Sequence, residues 1–391
     1  MAHYLDRANE HHDYTQALRR DFHMHPELGL QEYRTAGIVA RELNALDLEV
    51  TTGIAETGVV AMLDTGRPGP TALLRFDMDA LPILEETGAE YASLTPGVMH
   101  ACGHDGHTAI GLTVARLLHE DIDRLSGRVK FVFQPAEEGL GGAERMVAEG
   151  VLGDPQPDFC LTMHLWNDKP LGWLGITPGP VMAASETFHV YITGSGGHGA
   201  SPHQTADPVI AAAQVISALQ SIVSRNVPPL KTAVVSVTAV LAGEAFNVIP
   251  PQVELKGTIR SFDPEVRLKV LERFEEIVQG VSNAMGCRAD ITLKSLTPPV
   301  VNDPSITKRV QAAAAGLLPE NEIDTAFTTM GSEDMAYMMQ EIPGCYIFVG
   351  SANSAEGKDA AHHHPRFDFD EGALPKGVAL MATAAADLLT K

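Results

Sequence analysis

The sequence predicts an α/β chain in which one domain, built on a mixed, mostly parallel sheet, is interrupted by an inserted ferredoxin-like α+β module. Three observations carry this expectation. Strand and helix patterns alternate through the first half of the chain, as in an α/β sheet. Two runs, Ala-Leu-Leu-Arg-Phe at 72–76 and Val-Lys-Phe-Val-Phe at 129–133, are apolar enough for interior strands covered on both faces. From residue 187 the order becomes β-α-β-β-α-β, that of a ferredoxin-like module. Thr177-Pro-Gly-Pro180 and Pro298-Pro299 punctuate the two junctions. The expected division is 1–182 and 296–391 for the interrupted domain and 183–295 for the insert.

Taken in order, strands are predicted over 49–50, 59–63 and 71–76, a helix over 105–120, a strand over 128–134, a helix over 141–149 and a strand over 158–164. The insert should contain a strand (187–193), a helix (206–224), two strands (233–241, 252–262), a helix (264–285) and a strand (288–293). After it come helices over 305–317 and 332–339, a strand over 345–349 and a last helix over 371–389.

Composition narrows the function classes. The 50 acidic and 28 basic residues leave a formal charge of −22, which disfavours a phosphate backbone as partner. With 45% hydrophobic and 20% charged residues, the 391-residue chain has an ordinary globular composition and length enough for a large core. Apolar stretches such as 233–242 are too short to span a bilayer. Asp6, Arg7, Glu10 and Asp13 stand where a signal peptide would need an apolar run. Cys102, Cys160, Cys287 and Cys345 form no framework pattern. The expectation is therefore a soluble, cytoplasmic protein in a reducing compartment.

Metal-ligand residue types gather where the predicted strands end. Cys102-Gly-His104-Asp105-Gly-His107 opens a helix, Glu137-Glu138 follows one strand, His164 ends another, His362-His363-His364 lies in a late loop, and Asp77-Met-Asp79 follows a third strand. Each piece has an ordinary explanation by itself: a packed cysteine, a solvated helix start, a satisfied core histidine. In an open α/β sheet, however, strand C-terminal ends converge on one crevice. Thiolate, imidazole and carboxylate arriving there from several segments suit Zn²⁺, Mn²⁺, Co²⁺ or Ni²⁺.

Ten stretches, in order and over almost the whole chain, make the sequence resemble the dinuclear-metal amidohydrolases that include hippurate hydrolase, N-acyl-amino-acid amidohydrolase and the plant auxin-conjugate hydrolases. They are RDFHMHPELGLQE (20–32), RFDMDALPI (75–83), MHACGHDGHTA (99–109), FQPAEEG (133–139), MHLWN (163–167), GSGGHGASPH (194–203), NVIP (247–250), GTIRSF (257–262), GSEDMA (331–336) and HHPRFDFDE (363–371). The resemblance implies a catalytic domain carrying an inserted lid and dimerisation domain. It implies two divalent metal ions per subunit held by Cys102, His104, Glu138, His164 and His363, with His362 and His364 as the neighbours that could displace the last assignment. It gives Glu137 the role of proton acceptor beside the attacking water. His198, from this subunit or a partner's, would stabilise the oxyanion. Asn247 and Arg260 would bind a substrate carboxylate; for Arg260 a structural salt bridge is the alternative. His203 is a further motif position. Asp79 is expected to orient a ligand imidazole, and Asp105 either to do the same or to cap its helix. Gly331-Ser-Glu-Asp334 is expected to be an N-cap device without chemistry.

The implied reaction is metal-dependent hydrolysis of an N-acyl amino acid to a carboxylate and a free amino acid, in a homodimer or higher homo-oligomer. A metallo-dipeptidase of the same clan is the first alternative and needs an acidic group for the substrate's free amine. A nucleobase deaminase is disfavoured because His-x-Glu with Pro-Cys-x-x-Cys is absent. A non-catalytic metal-binding protein would leave Glu137 without a task.

Overall fold

A computed structural model describes residues 2–317 and 323–390. Along the chain the elements are α1 (Ala2–Glu10), α2 (His12–Met24), α3 (Tyr33–Asn44), β1 (Glu49–Ile54), β2 (Gly58–Asp64), β3 (Thr71–Asp77), α4 (His104–Glu120), β4 (Arg128–Gln134), α5 (Gly142–Ala148), β5 (Phe159–Pro170), β6 (Leu174–Gly175) and β7 (Gly179–Met182). Then follow β8 (Ala184–Thr193), β9 (Gly197–His198), α6 (Pro208–Ser221), β10 (Ala233–Leu241), β11 (Val248–Ile249), β12 (Gln252–Ser261), α7 (Pro264–Ala284) and β13 (Arg288–Thr297). The chain ends with β14 (Val300–Asn302), α8 (Pro304–Ala315), β15 (Ile323–Asp324), α9 (Ala336–Glu341), β16 (Gly344–Ala352) and α10 (Ala373–Leu389). Two compact units result: one of Met1–Val181, Val301–Thr328 and Asp334–Lys391, the other of Met182–Val300 and Thr329–Glu333.

The first unit is built on an eight-stranded mixed sheet, ordered β1-β2-β4-β3-β5-β16-β6-β15. Its central strands β4, β3, β5 and β16 run parallel. Period-two alternation sends Ala72, Leu74 and Phe76 of β3 into a core shared with α4 and α10, while Leu73 joins a smaller core on the opposite face with Ala143, Met146 and Met338. Both faces are therefore covered, which explains why β3 is buried at every position.

The second unit is a four-stranded antiparallel sheet in the order β10-β12-β8-β13. With α6 and α7 this is β-α-β-β-α-β, the ferredoxin-like arrangement. Its core packs Val190, Ile192 and Leu255 against Val215, Leu219 and Phe274. Helices α6, α7 and α8 all begin at Asp-Pro: Asp207, Asp263 and Asp303 accept hydrogen bonds from the first-turn amides, and proline occupies the first helical position, where no amide is needed.

Several elements differ from expectation. Helices α1 to α3 precede the first predicted strand; the two helices with described caps have no side-chain N-cap bond, so they lack that start signal. The predicted helix over 332–339 shrinks to α9, and the one over 206–224 ends at Ser221, followed by a π-type turn over Ile222–Asn226. The stretch Pro208–Asn226, rather than 233–242, is the apolar run to weigh against a bilayer: it is long and apolar enough to cross one. Its Ala211, Ala212, Val215 and Leu219 are nevertheless core residues of the second unit.

Candidate metal centre

Four segments of the first unit deliver the site. Cys102 lies in the loop leading to α4, whose N-cap Gly103 is left-handed at φ +90°. His104 is the first residue of that helix. Glu137 and Glu138 follow β4 across a corner at Ala136, a non-glycine residue at φ +56°. His164 lies within β5, between β3 and β16. His363 sits in the loop before α10 at φ +65°. Positive φ at two residues with a Cβ is unfavourable, and such outliers tend to gather at functional sites.

The structure brings the five expected donors together. Ligand atoms of Cys102, His104 and His164 lie within 4.8 Å of one another, and so do those of Cys102, Glu138 and His363. Cys102 is thus the shared vertex of two donor triads. A third group at the same spacing, His104, Glu137 and Glu138, places Glu137 beside both triads. The flanking histidines face elsewhere: His362 Nε2 donates to the Leu165 carbonyl at 2.9 Å, and His364 Nδ1 accepts from the Arg366 amide at 3.0 Å. Hydrogen bonds to backbone carbonyls set this register. His363 N donates to Ala101 O at 2.8 Å, beside Cys102. Asn167 Nδ2 donates to Ala360 O and Asp368 O at 2.9 Å each, bracketing the loop that carries His363.

The imidazoles are held from behind. His104 Nδ1 lies 2.9 Å from Asp79 O and 3.2 Å from Asp79 Oδ1, which places the proton on Nδ1 and leaves Nε2 as an acceptor. His164 Nδ1 donates to Leu165 O at 2.6 Å, leaving Nε2 directed to Cys102 Sγ at 3.5 Å. The other carboxylate oxygen of Asp79 accepts from Glu138 N at 3.0 Å, so one residue ties His104 to the Glu137-Glu138 corner.

Two residues to which the sequence reading assigned no task complete this frame. His107 Nδ1 donates to Asp77 Oδ1 at 2.6 Å, and its Nε2 accepts from Leu165 N at 2.9 Å. Both nitrogens are used, so His107 fixes the backbone amide of Leu165, whose carbonyl accepts from His164 and His362, and has no lone pair left for a cation. Arg75, fully buried, donates to Asp77 at 2.6 Å and to Asp334 at 3.2 Å. The clue to His107 was its spacing of three residues from His104, which puts both on one helical face.

Two other expectations are corrected. Asp105 neither supports a ligand nor caps α4; its carboxylate accepts from Arg19 Nε at 2.8 Å and His23 Nδ1 at 2.7 Å in the buried core. Asp334 is no N-cap either. It accepts from Arg75, from Gln134 Nε2 at 2.7 Å and from Ala143 N at 2.9 Å, linking β3, β4 and α5.

These residues fit a cationic group. His104 Nε2 is buried without a hydrogen-bond partner, and the buried Glu138 Oε1 has only His363 Nε2 near it, at 3.1 Å, among the described contacts. Burial, followed by the charges of Glu138, Glu137 and Asp77, pushes the Cys102 thiol well above its ordinary value. A thiolate in that acidic setting needs positive charge beside it. Burial and the neighbouring His107 and His362 hold His164 well below its ordinary value, leaving it neutral and able to ligate. Burial also opposes charge on His104, but Asp77, Asp79 and Glu138 outweigh it and raise its pKa to about 10.

In the second unit, His198 and Asn247 share a two-stranded ladder: β9 pairs with β11 (His198 opposite Val248), and Gly199 N donates to Asn247 O at 2.8 Å. His198, His203 and Asn247 are exposed. Arg260 lies on β12, half-buried, with Nη1 on the Thr258 hydroxyl and the Ile259 carbonyl; no carboxylate bonds it among the described contacts. Burial lowers its pKa.

An α/β sheet domain with an inserted ferredoxin-like unit and two His/Cys/Glu donor triads sharing Cys102 fits a metal-dependent hydrolase. Comparison with known proteins specifies the family. The profile of "Peptidase family M20/M25/M40" matches residues 73–387. N-acetyl-L-cysteine deacetylase of Bacillus subtilis is 41% identical over 372 residues, 95% of this chain and 87% of that protein. IAA-amino acid hydrolase ILR1-like 4 of Arabidopsis thaliana is 39% identical over 386 residues, 97% and 87% of the two. The crystal structure of the Bacillus subtilis YXEP protein, described as a dinuclear metal binding peptidase from the M20 family, superposes with a TM-score of 0.85 at 36% identity, covering 97% of this chain and 99% of that one. The chain belongs to the M20/M25/M40 peptidase family and is a hydrolase of its amidohydrolase branch.

Proposed function

We propose that this protein hydrolyses N-acyl amino acids, with Cys102, His104, Glu138, His164 and His363 holding two divalent ions. The observation that carries this reading is the sharing of Cys102 between two donor triads with Glu137 beside both. Bound there, such ions would acidify a water and polarise the amide carbonyl. Glu137 takes the proton of the attacking water and returns it to the leaving amine. Asp79, His107 and the Leu165 peptide keep the ligand imidazoles in one tautomer and one orientation. His198 donates to the oxyanion. Arg260, with Asn247, receives the α-carboxylate of the amino-acid half through its planar fork. The relatives that deacetylate N-acetylcysteine or hydrolyse an IAA-amino acid by name support an N-acyl amino acid as substrate.

The donor set suits Zn²⁺, Mn²⁺, Co²⁺ or Ni²⁺. We also assign a homodimer. The exposed edge strand β10, with Val240 and Leu241 53% and 52% exposed, supports a second copy of the chain as its partner. A dipeptidase is the competing reading, favoured by the peptidase description of the structural neighbour. Metal analysis combined with a panel of N-acetyl, N-benzoyl and longer N-acyl amino acids against dipeptides decides between them. Cleavage of dipeptides alone would overturn the proposal. Glu137→Ala is expected to keep its metal and lose about 10³-fold in kcat; hydrolysis surviving that change removes the assigned proton path.

A further inference from the structure

We propose that Glu32 is a positioning residue for the reaction: it holds the left-handed corner at Ala136 that sets where Glu137 and Glu138 point. The inference rests on the assignment of Glu137 as proton acceptor. Glu32 stands at the N-cap of α3, yet its side chain does not cap that helix. It turns inward and is 0% exposed. Its Oε1 accepts from Ala136 N at 2.9 Å, and its Oε2 accepts from Thr57 Oγ1 at 2.5 Å.

The corner is gripped from three sides. Glu32 takes its amide. Gly142 N donates to Ala136 O at 3.0 Å. Gly29 lies against it so closely that an added Cβ would come 3.0 Å from Ala136 Cα and 3.1 Å from Ala136 Cβ. Ala136 has φ +56°, a conformation an alanine leaves readily unless its surroundings impose it. Two residues on, Asp79 takes the Glu138 amide at 3.0 Å. The segment between these anchors carries both the proton acceptor and a metal ligand. Two carboxylates from distant segments, Glu32 and Asp79, thus pin its two ends. Glu32 acts through the backbone and needs only an acceptor oxygen, so an amide should replace its carboxylate.

The test compares Glu32→Ala, Glu32→Gln and Glu137→Ala in the metal-loaded protein. The readouts are kcat and KM on an N-acetyl amino acid, bound metal per subunit, and amide hydrogen exchange across residues 134–139. Glu32→Ala is expected to lower kcat about 100-fold, the scale of a small misplacement of a reacting group, with KM within about threefold. Metal content stays within about twofold because Asp79 still holds Glu138, and exchange at Ala136 accelerates at least about tenfold as its hydrogen bond is lost. Glu32→Gln restores kcat to within about threefold of wild type and restores protection, since its amide oxygen still accepts.

An unchanged kcat in Glu32→Ala, with Glu137→Ala inactive, overturns the role of Glu32 and leaves Glu137 in place. Equal losses in Glu32→Ala and Glu32→Gln overturn it as well, because they point to the charge and not the acceptor. An active Glu137→Ala removes the underlying assignment instead; the exchange difference between the Ala and Gln variants then still decides whether Glu32 anchors the corner. Should Glu32→Ala fail to fold, Thr57→Val frees one oxygen of Glu32 while keeping its bulk. A fall in kcat of about fivefold at constant KM supports the proposal, and no change overturns it.

Discussion

The candidate residues of the two units are built to different tolerances. In the first unit the donors rest on a continuous frame: Arg75 and His107 hold Asp77, His107 holds the Leu165 peptide, Leu165 holds His164, and Asp79 holds both His104 and Glu138. In the second unit His198 and Asn247 are exposed on a two-stranded ladder, and Arg260 rests on one hydroxyl and one carbonyl. Metal ligation demands fixed distances and one tautomer, so its residues are over-determined. Groups proposed to admit and release a substrate are left with freedom. The cost of removing one of the five donors should therefore appear in metal occupancy, and that of changing His198, Asn247 or Arg260 in turnover or substrate binding with the metal retained.

The sharpest way to break this contrast is at the vertex of the two triads. Cys102→Ala is expected to lower metal content below one ion per subunit and activity more than about 10³-fold, read by metal analysis and steady-state assay. Full occupancy in that variant would mean the triads do not share their thiolate. Next in size, His198→Ala should cost about 10²–10³-fold in kcat, as loss of an oxyanion donor does, with metal content unchanged. If metal is lost with it, the division between the units fails. A third measurement probes the frame without touching a ligand. His107→Asn should weaken metal binding about 10–100-fold, seen by competition with a chelator, while leaving all five donors in place.

How much of this could be read from the chain alone follows the same division. Glu137 and Glu138 follow β4, His164 lies on β5, and Cys102 and His104 open the helix α4 that packs on β3; the apolar runs of those strands are unmistakable, so much of their meeting follows from sheet topology. The exact member of His362-His363-His364 that faces Cys102 was not dictated: it depends on the His363 amide reaching Ala101 and on Asn167 bracketing the loop. Asp77 with His107, and Arg75 with Asp334, pair across separate strands and helices, and no local pattern announces such partners. Asp334 looked like a helix cap because acidic residues usually precede helices; its burial against Arg75 and Gln134 outweighed that preference. Helices α1 to α3 escaped for a related reason, lacking side-chain caps where those are described.

The smallest expected effect separates preorganisation from stability within the first unit. Burial raises the Glu32 carboxyl from 4.5 to about 7, against the opposing hydrogen bonds from Thr57 and Ala136, with the charge of Asp79 also raising it. A raised carboxyl binds its proton more tightly in the native state than in the unfolded chain. Its contribution to stability is therefore complete below about 4.5 and is lost as pH rises through about 7. Glu32→Gln keeps the acceptor oxygen without the ionisation. Its melting temperature should thus gain on wild type between these pH values and hold a constant lead above them. The lead corresponds to at most about 3 kcal/mol, a shift of a few degrees for a chain of this size. The comparison is made at equal metal loading, so that metal-linked protons cancel. A lead that shrinks as pH rises would show that Glu32 is stabilised as the carboxylate, and its grip on Ala136 would then depend on charge after all.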